Sequence, residues 1–328
     1  SITDSNNVSP YLGTFNPVGS LNDFIGNSIN GTWTLILYND EGGNTGEMEE
    51  WILNICKVPT PTASPITTST PTPSPQPTSI PILQSGDFNG DGTSDIGIFR
   101  PSDGYWSIRN VGTSWYGQDG DIPVSGDYDG DGVTDIAVFR DTDSLWAVSD
   151  LTRVYYGSSG DIPIPGDYIS SQIADIAVFR PSSALWAIRG LTRFYFGGPN
   201  DIPVPEDYDG VGAGFDDFAI FRSSSGLWAV RGMTRVYFGL SGDLPVPRDY
   251  NGDGISDIAI IRFSSGLWAV KGITRFYFGT TGDYPVPADY SGDGTTVDGI
   301  FRPASGLWAL RGFSRIYFGQ SGDIPVAR

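Results

Sequence analysis

The chain repeats itself, and the repeat limits its fold more than any other feature. Six times it writes a phrase of the form Gly-Asp-Tyr-Asp-Gly-Asp-Gly, Asp-Ile-Ala-Val-Phe-Arg, Leu-Trp-Ala-Val-Arg and Tyr-Phe-Gly, each led by an Ile-Pro-Val-like segment. The first loop aspartates are Asp87, Asp127, Asp167, Asp207, Asp249 and Asp289, at spacings of 40, 40, 40, 42 and 40 residues. A period near 40 built only of strand and turn signals means an array of small sheets rather than one mixed core. Each unit offers four short strands. In the second unit they are Ile122-Pro123-Val124 leading to Asp127-Tyr128, then Asp135–Arg140, Leu145–Val148 and Arg153–Gly157. Turns about every 10 residues fit four-stranded antiparallel propeller blades. The expected fold is therefore all-β, with a six-bladed β-propeller over residues 81–328. The run Asp-Ile-Ala-Val-Phe is apolar at consecutive positions, as expected where both faces of a sheet are covered.

Six loops, six Trp strands and six Tyr-Gly or Phe-Gly strands face seven Ile-Pro-type segments. The first is Ile80-Pro81-Ile82; the last, Gly322-Asp323-Ile324-Pro325-Val326, has no loop behind it. An open ring would leave an unpaired edge. The spacing predicts that Ile324–Val326 joins the blade begun near Pro81, against the alternative of a truncated seventh blade.

Two regions precede the repeats. Residues 57–80 are Pro, Thr and Ser with almost no apolar content, a composition for an extended polyproline stalk that builds no core. Residues 1–56 read as strands and turns: Thr32–Tyr38 alternates, Asn39–Gly46 is a polar turn, and Trp51–Ile55 is a second strand. Gly31-Thr32-Trp33-Thr34-Leu35, Asn39-Asp40, Thr45-Gly46 and Trp51-Ile52-Leu53 resemble the P/Homo B domain, a jelly-roll-like sandwich found beside subtilisin-like proteases. Asn16-Pro17-Val18, Leu21 and Phe24-Ile25-Gly26 extend the match. The resemblance covers only the C-terminal half of that domain and implies a partial β-sandwich. Cys56 is then either half of a split disulfide or a small buried thiol. Half a sandwich exposes strand edges, so a lost segment, another chain or docking on the propeller must complete it. Strand donation from a neighbour would build a homo-oligomer or fibre.

Composition removes several functions. There are 328 residues, no histidine and a single cysteine. That excludes a Ser-His-Asp triad, His-ligated metals and an internal disulfide. A net charge of −19 argues against nucleic acid and anionic membrane as partners. No apolar run reaches about 18 residues, so no membrane insertion is expected. The excess carboxylate suits a calcium-rich extracellular setting. With no leading Met and no signal peptide, the chain reads as a piece of a longer precursor.

The loops carry a metal-binding pattern. In Asp127-Tyr128-Asp129-Gly130-Asp131-Gly132-Val133-Thr134-Asp135, carboxylates fall at positions 1, 3, 5 and 9, Val133 offers its carbonyl at 7, and a glycine at 6 permits the sharp turn. That is the front of a calcium loop. Position 12 is Val138 rather than a bidentate Glu, so it is not an EF-hand. The pattern recurs at Asp87, Asn89, Asp91, Thr93 and Asp95, and at Asp249, Asn251, Asp253, Ile255 and Asp257. The sixth unit keeps Asp289, Ser291 and Asp293 but slips its last aspartate to Asp298. The fourth has Asp207 and Asp209, Val211 at position 5 and two extra residues before Asp217. The third replaces the middle ligands with Ile169 and Ser171. The competing reading is that Asp-Gly pairs merely make hairpin turns. Phe-Gly at 196–197, 238–239, 278–279 and 318–319, together with the acidic loops, resembles the FG-GAP/VCBS repeats of integrin-like propellers. The resemblance runs through all six units and implies calcium as a structural ion.

Trp106, Trp146, Trp186, Trp228, Trp268 and Trp308 recur once per unit, as do Arg100, Arg140, Arg180, Arg222, Arg262 and Arg302. Arg189, Arg231, Lys271 and Arg311 follow the tryptophans. Arg153, Arg193, Arg235, Arg275 and Arg315 lie on the last strand. Two readings compete: sugar binding by Trp stacking and Arg hydrogen bonds, or Trp packing between blades with Arg paired to loop carboxylates. The function expected is a non-catalytic, secreted or cell-surface adhesion or scaffold module, stabilised by calcium, with a protein or glycan partner at the cell surface. The alternatives are the C-terminal part of a secreted subtilisin-like protease and a propeller lectin.

Overall fold

The computed structural model describes residues 86–169, 171–211 and 215–326. They form six four-stranded sheets and no helix, a six-bladed β-propeller. The sandwich expected over residues 1–56, the stalk over 57–80 and the segment Ile80–Ile82 lie outside the described residues.

Blade 2 shows the plan. Ile122–Pro123 pairs with Ala137–Arg140, which pairs with Leu145–Val148, which pairs with Thr152–Tyr155, every pair antiparallel. The first two strands are shorter than the sequence pattern suggests. Proline has no N–H to give a ladder, and regular pairing of the first strand stops at two residues. A lone bridge, Gly126 to Asp135, continues it.

The second strand is buried along its length: Ala137, Val138 and Phe139 are all at most 2% exposed. The reason is that the core lies between blades. Val178 of blade 3 packs with Val124, Phe139 and Trp146 of blade 2, and each of the six apolar clusters spans two neighbouring blades in this way. All six repeat tryptophans are 0% exposed. The indole N–H of Trp146 donates to the Tyr156 carbonyl at 3.1 Å, and the other five make the same bond at 2.8–3.0 Å. Large aromatic area is buried with its one polar atom satisfied. Of the two readings of the tryptophans, packing holds, and stacking of a sugar on these rings is closed off.

The repeat arginines do pair with carboxylates, but not with those of the acidic loops. Arg140 reaches Asp121, Arg180 Asp161, Arg222 Asp201, Arg262 Asp243 and Arg302 Asp283. Each aspartate stands just before the Ile-Pro-type strand. Its side chain is at most 1% exposed, and the pairs are bidentate, for example 2.7 and 2.9 Å for Arg140 with Asp121. The same carboxylate closes its own turn by accepting the N–H three residues earlier, Gln118 to Asp121 at 3.0 Å.

The ring closes as the segment count predicts. Ile324–Pro325 takes the first-strand place in blade 1, pairing Ile98 with Pro325 and Phe99 with Ile324. The Val326 N–H donates to the Gly97 carbonyl at 2.9 Å, and Arg100 completes the series of ion pairs with Asp323.

Candidate functional site

Each of the six loops leads into the second strand of its blade, and in blades 2 to 6 it joins that strand to the first; in blade 1 the first strand comes from Ile324–Pro325. Backbone hydrogen bonds connect the loops to one another. Thr134 N–H donates to the Asp87 carbonyl, Ala174 to Asp127, Asp216 to Asp167, Ser256 to Asp207 and Thr296 to Asp249, and Ser94 to Asp289 closes the circle, all at 2.6–2.9 Å. Position 8 of every loop is thus tied to position 1 of the loop before it. The circlet also explains the glycine at position 4. Gly130 has φ 81°, and a Cβ there would lie 2.9 Å from the Ile173 side chain of the next loop.

Inside a loop, the position 1 carboxylate collects backbone donors. Asp127 Oδ1 accepts from Gly130 N at 2.6 Å and Oδ2 from Gly132 N at 2.9 Å. Asp135 Oδ2 accepts from Tyr128 N at 2.8 Å. The recurring tyrosine at position 2 fastens the loop to its first strand, because Tyr128 Oη–H donates to the Val124 carbonyl at 2.6 Å.

Asp127, Asp129 and Asp135 each place one carboxylate oxygen within 4.8 Å of the others. Asp131 does not belong to that group; its Oδ1 accepts from Val133 N at 2.8 Å. The fourth loop, despite Val211 and its insertion, brings Asp207, Asp209 and Asp217 equally close. Sequence spacing did not favour that site, because the extra residues displace Asp217 from position 9, yet the bridge from Glu206 to Asp217 restores the register. In the first and fifth loops an asparagine stands at position 3. Asn89 and Asn251 accept from Asp91 N and Asp253 N, both at 2.9 Å.

Electrostatics at position 9 follows from this crowding. Burial raises Asp95, Asp135, Asp175, Asp217 and Asp257 above the ordinary carboxylate range, and the neighbouring loop aspartates push the same way. A cation among these groups would remove the repulsion.

In the sixth loop Val297 stands at position 9 and Asp298 one step later, as the sequence spacing has it. Val297 takes the position 9 bridge to Ala288. Asp298 occupies the seat held by Ile96, Ile136, Ile176, Phe218 and Ile258 in the other blades; its carbonyl accepts from Arg311 N as Ile136 accepts from Ser149 N. The carboxylate therefore leaves the loop and meets Arg311 Nη1 at 3.3 Å. Its Oδ1 is buried without a hydrogen-bond partner, and burial pushes its pKa up to about 6 in spite of Arg311.

A second feature escaped sequence reading. On the fourth strand of every blade one aromatic ring stands in solvent: Trp115, Tyr155, Tyr195, Tyr237, Tyr277 and Tyr317, each 70–75% exposed. The signal was present in the alternation of Thr-Arg-Val-Tyr, which puts Arg153 and Tyr155 on one face and Val154 on the other. No family model matches the chain, and no curated protein matches it.

Proposed function

We propose that the chain is a secreted or cell-surface, non-catalytic adhesion or scaffold module of the FG-GAP/VCBS type, its ring stiffened by calcium in the acidic loops. One observation carries the calcium reading. The third loop lacks the middle acids, yet it keeps the shape of the others. Asp167 still accepts from Ser171 N and Gln172 N, Asp175 from Tyr168 N, and Ala174 N still donates to the Asp127 carbonyl. Asp129 and Asp131 each accept one backbone N–H, from Asp131 and Val133. In blade 3, however, the Ser171 hydroxyl serves at position 5 and Ile169 offers no side-chain acceptor at position 3, so the loop's shape does not require negative charge there. Clustered negative charge that the fold does not require needs another reason, and a hard cation with oxygen ligands supplies one. Asp127, Asp129, Asp131, Asp135 and the Val133 carbonyl would hold the ion in blade 2, with the corresponding residues in blades 1 and 5. Asp207, Asp209 and Asp217 add a candidate in blade 4, and Asp289, Ser291 and Asp293 form the weakest set. Bound calcium would neutralise the loops and lock a hairpin to its neighbour through the circlet.

Calorimetry on the full chain tests this. Calcium should raise the melting temperature and bind at more than one site, while magnesium at equal concentration does less. A chain stripped by chelator that melts at the same temperature with and without calcium ends the reading.

A glycan partner has its own support in the six exposed aromatic rings, each beside an arginine in five of the blades. Aromatic faces stack on sugars without needing a deep pocket. A glycan array on the wild-type chain and on a Tyr195→Ala, Tyr237→Ala variant separates that role from protein adhesion.

A further inference from the structure

The junctions between blades share one construction, and one junction lacks two of its parts. At each, a side chain from the fourth strand of one blade fills the space beside the next blade: Val154, Phe194, Val236, Phe276 and Ile316. The residue after the third strand of the next blade supplies a cation: Arg189, Arg231, Lys271, Arg311 and, where the ring closes, Arg109. Two junctions show the stack directly, with Arg231 over Phe194 at 4.2 Å and Arg311 over Phe276 at 3.9 Å.

Between blades 1 and 2 both parts are serine. Ser114 stands opposite Trp106 where Val154 stands opposite Trp146. Ser149 holds the cation's place; its N–H donates to the Ile136 carbonyl as Arg231 N donates to Phe218. The result is an open cavity of about 230 Å³ walled by Trp106, Ile108, Val111 and Ile136, with the Ser114 and Thr134 hydroxyls among its few polar groups. An apolar cavity of about 150 Å³ already accepts benzene, so an aromatic ring has room. The charge next to the cation's position in the chain is also reversed. The residue beside Ser149 is the exposed Asp150, where blades 3 to 6 carry glycine after their cation.

We propose that this junction is a binding slot for a small organic cation built on an aromatic ring, of the arylalkyl-guanidinium or arylalkyl-ammonium class. Such a molecule restores what the other junctions contain. Its ring takes the place of Phe194, and its cationic arm takes the place of Arg231, at Ser149 and next to Asp150 in the chain. The slot is independent of the acidic-loop reading, since no carboxylate of the calcium pattern lines it.

The test uses the full chain and three probes of one size: 2-phenylethylguanidinium, neutral 2-phenylethanol and anionic 3-phenylpropionate. Saturation-transfer NMR should show the cation binding, with affinity at least about tenfold above that of the anion. A crystal soak should place its ring between Ser114 and Ile136. The double variant Ser114→Phe, Ser149→Arg copies the blade 3–4 junction into this one; it should melt higher than wild type and lose the probe. Ser114→Val, the choice of blades 2 and 4, provides the same test if the double variant does not fold. The proposal fails if no probe binds at about 5 mM, if cation and anion bind alike, or if the filled variants bind as well as wild type. Binding of a Phe-Arg peptide without binding of the free cation also overturns it, because the occupant is then a protein segment.

Discussion

At the scale of single residues, burial of charge separates two kinds of aspartate. Asp121 and its five counterparts are fully buried and fully paired, each meeting a guanidinium fork and a backbone N–H. Removing one side of such a pair leaves the other uncompensated, at a cost of about 3–5 kcal/mol. Asp243→Ala should therefore destabilise by roughly that amount, while Arg262→Ala, whose partner is the one left buried, should be no milder. Urea titration of the two variants checks both. Asp298 is the opposite case, a carboxylate in an isoleucine's seat with its pKa raised to about 6. The folded chain holds this proton between about pH 4 and 6, where the unfolded chain has released it. Stability from this group is therefore greatest below pH 4 and is lost as pH rises through 6, by up to about 3 kcal/mol. Asp298→Ile should raise the melting temperature more at pH 8 than at pH 4.5. Equal gains at the two values would show that the carboxylate is not strained.

At the scale of elements, the loops divide into a frame and a filling. Asp127, Asp135 and the backbone N–H groups they collect make the frame. Blade 3 reproduces it without the middle acids and without the loop glycines, Gln172 taking the positive φ of 60° at position 6. Replacing Asp129 and Asp131 by Ser should leave the calcium-free melting point nearly unchanged, within about 0.5 kcal/mol. The same change should reduce the rise that calcium produces. A large loss in chelator would mean that the two acids belong to the frame. Strands and loops were legible in the sequence because both are local: apolar runs bounded by glycine, and oxygen ligands at fixed spacing. The arginine partners were not, although both members of the pair recur in every unit. Asp121 lies 19 residues before Arg140, and Asp323 lies 223 residues after Arg100. Spacing alone gives no reason to prefer these aspartates to the closer ones in the acidic loop. The circlet was less legible still, since backbone carbonyls accept its bonds and carbonyls leave no residue-type signature. Spacing showed that Asp298 falls one step past position 9, but not that the step puts its carboxylate in an apolar seat beside Arg311.

At the scale of the whole ring, the first and last described segments meet in blade 1. Deleting residues 321–328 removes two strand-pair rungs, the Arg100–Asp323 ion pair and the buried Val326 side chain. The ion pair and the side chain together are worth roughly 5 kcal/mol, well beyond a surface change of about 0.5. A truncated chain with an unaltered melting point would show that the closure contributes nothing. The same arrangement decides how the ring carries a load. Tension applied between residues 86 and 326 does not pass through blades 2 to 6. It falls on the two-residue clasp, which opens as a zipper would, one rung after another. Optical-trap pulling between those points should therefore record a small early rupture at the clasp, and only afterwards the loss of blades in sequence. A ring pulled across blades 2 and 5 has no such release and should resist further. The closure that protects the ring against heat is thus its mechanical fuse.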